Sequence, residues 1–432
     1  MAGVIVTGAI LLVLPVSAAS GSSVGWSAAF FTATSAVCVT GLIVVDTPSA
    51  FSGFGQVVIL ALIQIGGLGY MTVSTLIAVL LGRRMSLGGR LLLQTSLNLA
   101  SRRDLARFVK TVITLTVVAE CAGAVILTAR WWPDFGLPTA SWLGLFHAVS
   151  AFNNAGFSLF STNLVDWRSD LVVNATVMVL VIGGGLGYLT LTELGRFRRW
   201  ADLSLHTRLV VVMTAALLLT GAVGFYAVER TQAGTLGPLS AGEAWLAAVF
   251  QSVTTRTAGF NTIDIQALQP AALFIALVFM FIGGAPGGTA GGVKVTTFGI
   301  TVLALWATVR GRQAPTLFWR RLPLELVARS FLICLTGFLA LNIVAGLLLA
   351  VQGGQFLPVL FEAMSAFGTV GLSTGAVDAR VSLSGDFATP GRLLVCLLMF
   401  VGRVGPLTLA FALAGRHSVS HVRYPEERVL IG

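Results

Sequence analysis

Apolar residues gather along this chain in eight long runs, at about 2–19, 56–81, 108–129, 171–194, 207–228, 270–309, 325–351 and 390–412. A helix needs roughly 20 apolar residues to cross a bilayer, so the first run is short for a span and the sixth is too long. Four further apolar runs are too short to cross: about 26–38, 142–154, 245–256 and 357–369. Each is followed directly by a glycine flanked by small or polar residues. The pattern predicts an all-α polytopic membrane protein of eight transmembrane helices, with a pore half-helix and returning loop in each of four external segments.

The short runs and their glycines read SAVCVTGL (35–42), SAFNNAGF (150–157), VTTRTAGF (253–260) and SAFGTVGL (365–372). Gly41, Gly156, Gly259 and Gly371 are 115, 103 and 112 residues apart, close to a quarter of the chain each time. A second landmark follows in the next run: IGGLGY (65–70), GGGLGY (183–188), IGGAPGG (282–288) and VGRVGP (401–406). Trp26, Trp142 and Trp245 open the first three short runs, with Phe356 near the corresponding place in the fourth, and aromatics favour that interfacial depth. Two landmarks recurring in order four times reveal a repeat. The expected division is 1–82, 83–195, 196–312 and 313–432, all within one membrane domain around a central pore.

Composition supports a chain solvated by lipid, with 56% hydrophobic and 10% charged residues and a mean hydropathy of +0.90. The net charge of +10 does not indicate nucleic-acid binding, because the basic residues sit in short loops between apolar runs. Of 27 Lys and Arg, 19 fall in the segments 82–110, 195–208, 310–329 and the tail after 412. The positive-inside rule makes those segments cytoplasmic and, with an even number of spans, places both termini there. The apolar N-terminus lacks the basic start of a signal peptide and is expected to be the first span. Cys38, Cys121, Cys334 and Cys396 lack metal-ligand spacing, and no disulfide framework is expected. Lys294 and Arg403 lie inside apolar runs, where a charge is costly and a functional role is the default expectation.

Irregular backbone at membrane depth is tolerated only where protein buries it or where it lines a water-filled cavity. The four loops are therefore expected to meet around a pore. A half-helix entering from outside aims its partly negative C-terminal end at the membrane centre, which favours a cation. A glycine without a Cβ can turn its carbonyl toward the axis, and carbonyl oxygens can replace an ion's hydration shell, an arrangement suited to potassium. The expected filter is backbone: Val39, Thr40 and Gly41; Asn154, Ala155 and Gly156; Thr257, Ala258 and Gly259; Thr369, Val370 and Gly371. The side chains of Cys38, Asn153, Thr255 and Gly368 differ between the repeats, which argues against symmetric side-chain coordination.

These loops resemble those of the Trk/Ktr/HKT superfamily of potassium-uptake proteins over essentially the whole chain. The likeness is strongest to its KtrB-type membrane subunit, through VTTRTAGFNT (253–262), GGAPGGTAGGVKVTT (283–297), FVGRVGPLT (400–408) and YPEERVLIG (424–432). The resemblance implies that Gly41, Gly156, Gly259 and Gly371 are selectivity glycines for potassium, which is substrate, with no covalent cofactor. It implies that 283–297 is an intramembrane gating loop, with Gly283, Gly284, Pro286, Gly287, Gly288, Gly291, Gly292 and Lys294 among its residues. Pro286 and the six glycines support this independently, since they would break the overlong sixth run midway. The family's pattern has a Ser near Ala285, so the gate's polar detail differs here. Arg403 stands where the family places an electrostatic barrier below the filter; an internal ion pair, for example with Glu120, is the other reading. The resemblance further implies a homodimer, a KtrA-type cytosolic nucleotide-binding regulator and a bacterial cytoplasmic membrane, with YPEERVLIG as a dimer or regulator contact.

Lys294 either serves the gate or snorkels to cytoplasmic water. Arg256 is expected to form a structural salt bridge with an acid such as Asp264, and Glu120 to be paired or solvated. His417 and His421 have the i, i+4 spacing of metal ligands but no third ligand nearby. The basic segment 83–107 suits lipid headgroups or an acidic partner. An intramembrane enzyme lacks its chemistry here, with no HExxH or GxSxG motif. A conventional secondary transporter for another small solute also has Gly/Pro-interrupted spans, but usually in two repeats rather than four.

Overall fold

The computed structural model describes residues 1–69, 102–312, 314–378 and 380–405. The expected helix ends at 70–81 and 406–412, the basic stretch 83–101, His417, His421 and the terminal 424–432 lie outside the described residues. Within them, one order of elements recurs four times: outer helix, half-helix, returning loop, inner helix. The first set is α1 (Ala2–Val13), half-helix α2 (Trp26–Cys38), the single turn α3 (Thr47–Ala50) and α4 (Gly53–Leu68). The second is α5 (Arg102–Phe135), half-helix α6 (Leu137–Phe152), α7 (Leu171–Gly185) and α8 (Tyr188–Leu194). The third is α9 (Leu205–Glu229), half-helix α10 (Ala241–Thr254), α11 (Pro270–Phe281) and α12 (Val295–Val309). The fourth is α13 (Leu324–Gln352), half-helix α14 (Phe356–Gly368) and α15 (Thr389–Val404), preceded by a two-residue hairpin of β1 (Thr316–Leu317) and β2 (Arg320–Arg321).

Polar caps mark where several elements begin. Ser52 accepts from Gly55 N–H at the start of α4, and Asp170 from Val173 N–H at the start of α7. Ser240 and Glu243 form a reciprocal capping box at the start of α10. Among the described residues, α5 (from Phe108), α9 and α13 are long and apolar enough to cross a bilayer alone, at 28, 25 and 29 residues. The pair α7 and α8 qualifies together but is bent by 108°.

That bend corrects the reading of 171–194 as one span. It lies at Gly187, whose φ of +83° an L-residue with a Cβ rarely adopts. Tyr188 N–H donates to Gly287 O at 3.1 Å instead of continuing the helical ladder. The same glycine of the second landmark ends two other inner helices, with Gly69 at φ +78° after α4 and Gly405 at φ +94° after α15. The overlong run 270–309 divides as expected, into α11 and α12 with residues 282–294 between them.

The half-helices form the core. Residues 28–29 and 31–38 of α2 are buried, as are 146–152 of α6, 250–254 of α10 and 361–368 of α14. The outer helices surround them and leave large apolar side chains exposed: Val118 and Val125 on α5, Leu219 on α9, Phe331, Leu335, Phe338 and Ile343 on α13. Apolar surface on that scale has lipid or a partner as its solvent.

Candidate ion pathway

Each half-helix runs directly into its glycine loop, and each loop bends the same way. The residue two before the glycine has a positive φ in all four: Val39 +50°, Asn154 +56°, Thr257 +77° and Thr369 +51°. The glycine follows with φ of +92°, +71°, +77° and +94° at Gly41, Gly156, Gly259 and Gly371. Non-glycine residues in that region are strained by roughly 1–3 kcal/mol each and persist only where their surroundings impose the geometry. Four equivalent strained positions point to a constructed site.

The glycines close a ring in chain order. A methyl group built on Gly41 would stand 3.0 Å from the Cα of Gly156, and one on Gly156 would stand 2.8 Å from that of Gly259. One on Gly259 would lie 3.3 Å from the Cα of Gly371, and one on Gly371 3.1 Å from that of Gly41. Each would also strike a carbonyl oxygen of the next loop: Ala155, Ala258, Val370 and Thr40 in turn. Backbone thus meets backbone around one axis with no room for a side chain.

Hydroxyls of the half-helices hold the ring from behind. Gly41 N–H donates to Ser35 Oγ and Gly371 N–H to Ser365 Oγ, both at 3.0 Å. Ser150 Oγ donates to Phe157 O at 2.8 Å, and Thr254 Oγ1 to Phe260 O. The side-chain oxygens Thr40 Oγ1, Asn154 Oδ1, Thr257 Oγ1 and Thr369 Oγ1 are buried with no hydrogen-bond partner. A cavity of about 330 Å³ opens on the outer side, lined by all four glycines together with Asp46 and Asp264.

On the opposite side lies the loop 282–294. Its ends zip together, with Gly283 N–H donating to Val293 O at 2.8 Å. Its middle is fastened to the bend of the second repeat: Ala285 N–H to Gly185 O at 2.8 Å, Thr289 N–H to Gly184 O at 3.1 Å, and the Tyr188 bond already described. Asn154 Nδ2 donates to Thr289 Oγ1 at 2.9 Å, and a methyl on Gly291 would collide with the side chain of Thr369. The glycine-rich loop therefore abuts the inner end of the ring.

Three charged residues border this loop. Arg403 donates to Thr289 O and to Gly66 O, bridging the loop to the first inner helix; it forms no ion pair with Glu120. Lys294 Nζ donates to Ala290 O at 2.6 Å. Arg256 is buried and donates to Gly283 O at 3.1 Å and Thr214 O at 3.4 Å. The expected salt bridge to Asp264 is absent, because Asp264 faces the outer cavity and accepts from Gln266 N–H. Backbone carbonyls take the place of a counter-ion. Glu120 is buried and accepts from Asn153 Nδ2 at 2.8 Å.

Thr289 had no place among the expected site residues, although it joins the ring, the second repeat and Arg403. His147 and Glu362, buried in α6 and α14, were also missed. Their signal was available: each lies nine residues before its repeat's ring glycine.

Comparison with known proteins accords with this geometry. Residues 4–418 match the TrkH family, described as a cation transport protein. The Ktr system potassium uptake protein B of Vibrio alginolyticus is 40% identical over 434 residues, covering 100% of this chain and 93% of the relative. The protein of the same name from Bacillus subtilis is 38% identical over 99% of this chain and 94% of its own length. The crystal structure of the potassium transporter TrkH from Vibrio parahaemolyticus shares the fold, with a TM-score of 0.71 at 19% identity over 95% of this chain and 84% of that one. A closed ring of four glycine loops in an apolar helical protein, with sequence likeness along its whole length, places this chain in the TrkH family of cation transport proteins, as a multi-pass membrane transporter and not an enzyme.

Proposed function

We propose that this chain takes up potassium across the cell membrane, through a selectivity filter made of the carbonyls of 39–41, 154–156, 257–259 and 369–371. The observation that carries the reading is the closure of the ring, each glycine set against the carbonyl preceding the next. Backbone oxygens crowded around one axis offer a dehydrated cation a cage of dipoles, and the C-terminal ends of four half-helices add a negative potential there. A larger, weakly hydrated ion gives up its water to such a cage at less cost than sodium. The loop 282–294 is the gate, with Gly283, Gly284, Pro286, Gly287, Gly288, Gly291, Gly292 and Lys294 as its body and Arg403 as its clasp. The chain works as a homodimer under a KtrA-type cytosolic nucleotide-binding ring, with both termini cytoplasmic and repeats bounded at 1–82, 83–195, 196–312 and 313–432.

The test is rubidium uptake into proteoliposomes containing this chain, with and without a KtrA-type regulator, and with potassium or sodium as competitor. Potassium should block uptake where sodium does not. In Gly41→Ser and Gly156→Ser proteins the added side chain has to push a neighbouring loop aside, and the preference for potassium over sodium should fall. An unchanged preference in both, in folded protein, would refute the glycine ring as filter.

A further inference from the structure

The outer ends of the four filter loops are held unequally. In the second repeat, His147 lies nine residues before Gly156, and its Nε2 is 3.0 Å from Oγ of Ser158, two residues after that glycine. Phe160 N–H, four after the glycine, donates to the same Oγ at 3.0 Å. In the fourth repeat, Glu362 lies nine residues before Gly371 and accepts from Ser373 Oγ, two after it, at 2.6 Å. Gly375 N–H, four after it, donates to Ser373 Oγ at 3.1 Å. The two constellations match position for position.

The chemistry matches as well. His147 Nδ1 is 2.8 Å from Leu143 O, a carbonyl that can only accept, so Nδ1 carries the proton. In the neutral imidazole Nε2 is then an acceptor, as the Glu362 carboxylate is. In both repeats a buried acceptor on the half-helix takes the serine proton, and the serine oxygen takes a backbone N–H of the outer loop. Glu362 is tied further by Ser384 N–H at 2.9 Å and by the Ser384 hydroxyl at 2.5 Å. Both His147 and Glu362 are fully buried.

The first and third repeats have no such brace. Thr32 and Ile43 occupy the two positions in the first, and Phe250 and Asn261 in the third; Thr32 Oγ1 is buried with no partner. Their loops lean on the braced ones at the equivalent residue. Ile43 O accepts from Ser382 N–H and Ile43 N–H donates to Ser382 Oγ, both at 2.9 Å. Asn261 O accepts from Leu164 N–H at 3.1 Å. The fourth repeat thus carries the first, and the second carries the third. The ring order places the two braced repeats opposite each other.

We propose that His147–Ser158 and Glu362–Ser373 are paired struts that set the outer diameter of the filter, making His147 and Glu362 positioning residues that determine ion selectivity. The proposal rests on the reading of the four glycines as the filter. A cage that discriminates ions by the positions of its carbonyls loses discrimination when its supports slacken, and two struts support all four loops here.

Ser158→Ala, Ser373→Ala and the double variant are made in the full chain and reconstituted, with Gly41→Ser in parallel. The ratio of sodium to potassium inhibition constants for rubidium uptake is the readout, since a loss of folded protein lowers uptake without moving it. The double variant, with both struts gone, should lower the ratio by about fivefold, a difference between the two ions no larger than the net worth of a single hydrogen bond. Single variants should lower it less, and Ser158→Thr, which restores the hydroxyl, should recover it. An unchanged ratio in the double variant beside a reduced one in Gly41→Ser overturns the struts; an unchanged ratio in both overturns the filter itself, and the struts with it. Should the double variant not fold, an unchanged ratio in Ser158→Ala is equally decisive.

Discussion

Glycine does two separate jobs in this chain, and substitution distinguishes them. In the ring it supplies a dihedral angle, whereas along the inner helices it supplies proximity. Gly66, Gly184 and Gly402 lie in or end α-helical backbone, and a methyl on each would collide with a carbonyl at the end of a half-helix: Val37, Phe152 and Phe367. Gly184→Ala would also press on Thr289 Oγ1, at 2.7 Å. That variant should lose about 1–3 kcal/mol to overpacking, seen as a lower melting temperature in detergent. Gly346 is also helical but has nothing within 4 Å, so Gly346→Ala should melt at the same temperature or higher. A drop of equal size in both proteins would show that helix flexibility matters here rather than close approach. At this scale the sequence was partly legible. The ring glycines stood out because they recur at matching places, but Arg256 was assigned an acid where it has carbonyls. A backbone acceptor leaves no mark on the residue that supplies it.

Among the elements, all four half-helices end within two residues of the expected position, but only α2 and α14 also begin there; α6 starts at Leu137 where 142 was expected, and α10 at Ala241 where 245 was. The glycine loop marks the end of such a helix more sharply than the apolar run marks its start. The glycines of GGGLGY (183–188) mark a weak point in 171–194, but the bend between α7 and α8 was not readable from them, because the break depends on Gly287 of a distant repeat accepting from Tyr188. The loop 282–294, proposed above as the gate, is held by such distant bonds, so shortening it should release it. Deleting part of 285–292 removes the bonds at Ala285 and Thr289 together with one of the two acceptors for Arg403. Rubidium flux without a regulator should then rise several-fold; equal or lower flux through a well-folded deletion would argue that the loop does not obstruct the path.

For the whole molecule, charge placement makes the prediction. The described loops around 196–208 and 310–329 carry nine Arg, and the opposite face carries the ring's outer cavity with Asp46 and Asp264. A protease-cleavable tag at either terminus should be cut from inverted vesicles and spared on intact cells, as the distribution of basic residues requires. Cleavage from outside would reverse the direction of the entire pathway.

The ring comes from one polypeptide and, if it is the filter proposed above, this bears on how selectivity can vary. In an assembly of four identical subunits, one codon change alters every quadrant at once. Here a change at Val39, Asn154, Thr257 or Thr369 touches one quadrant and leaves three in place. Drift can therefore sample ion preference in small steps, quadrant by quadrant, while the molecule stays in service.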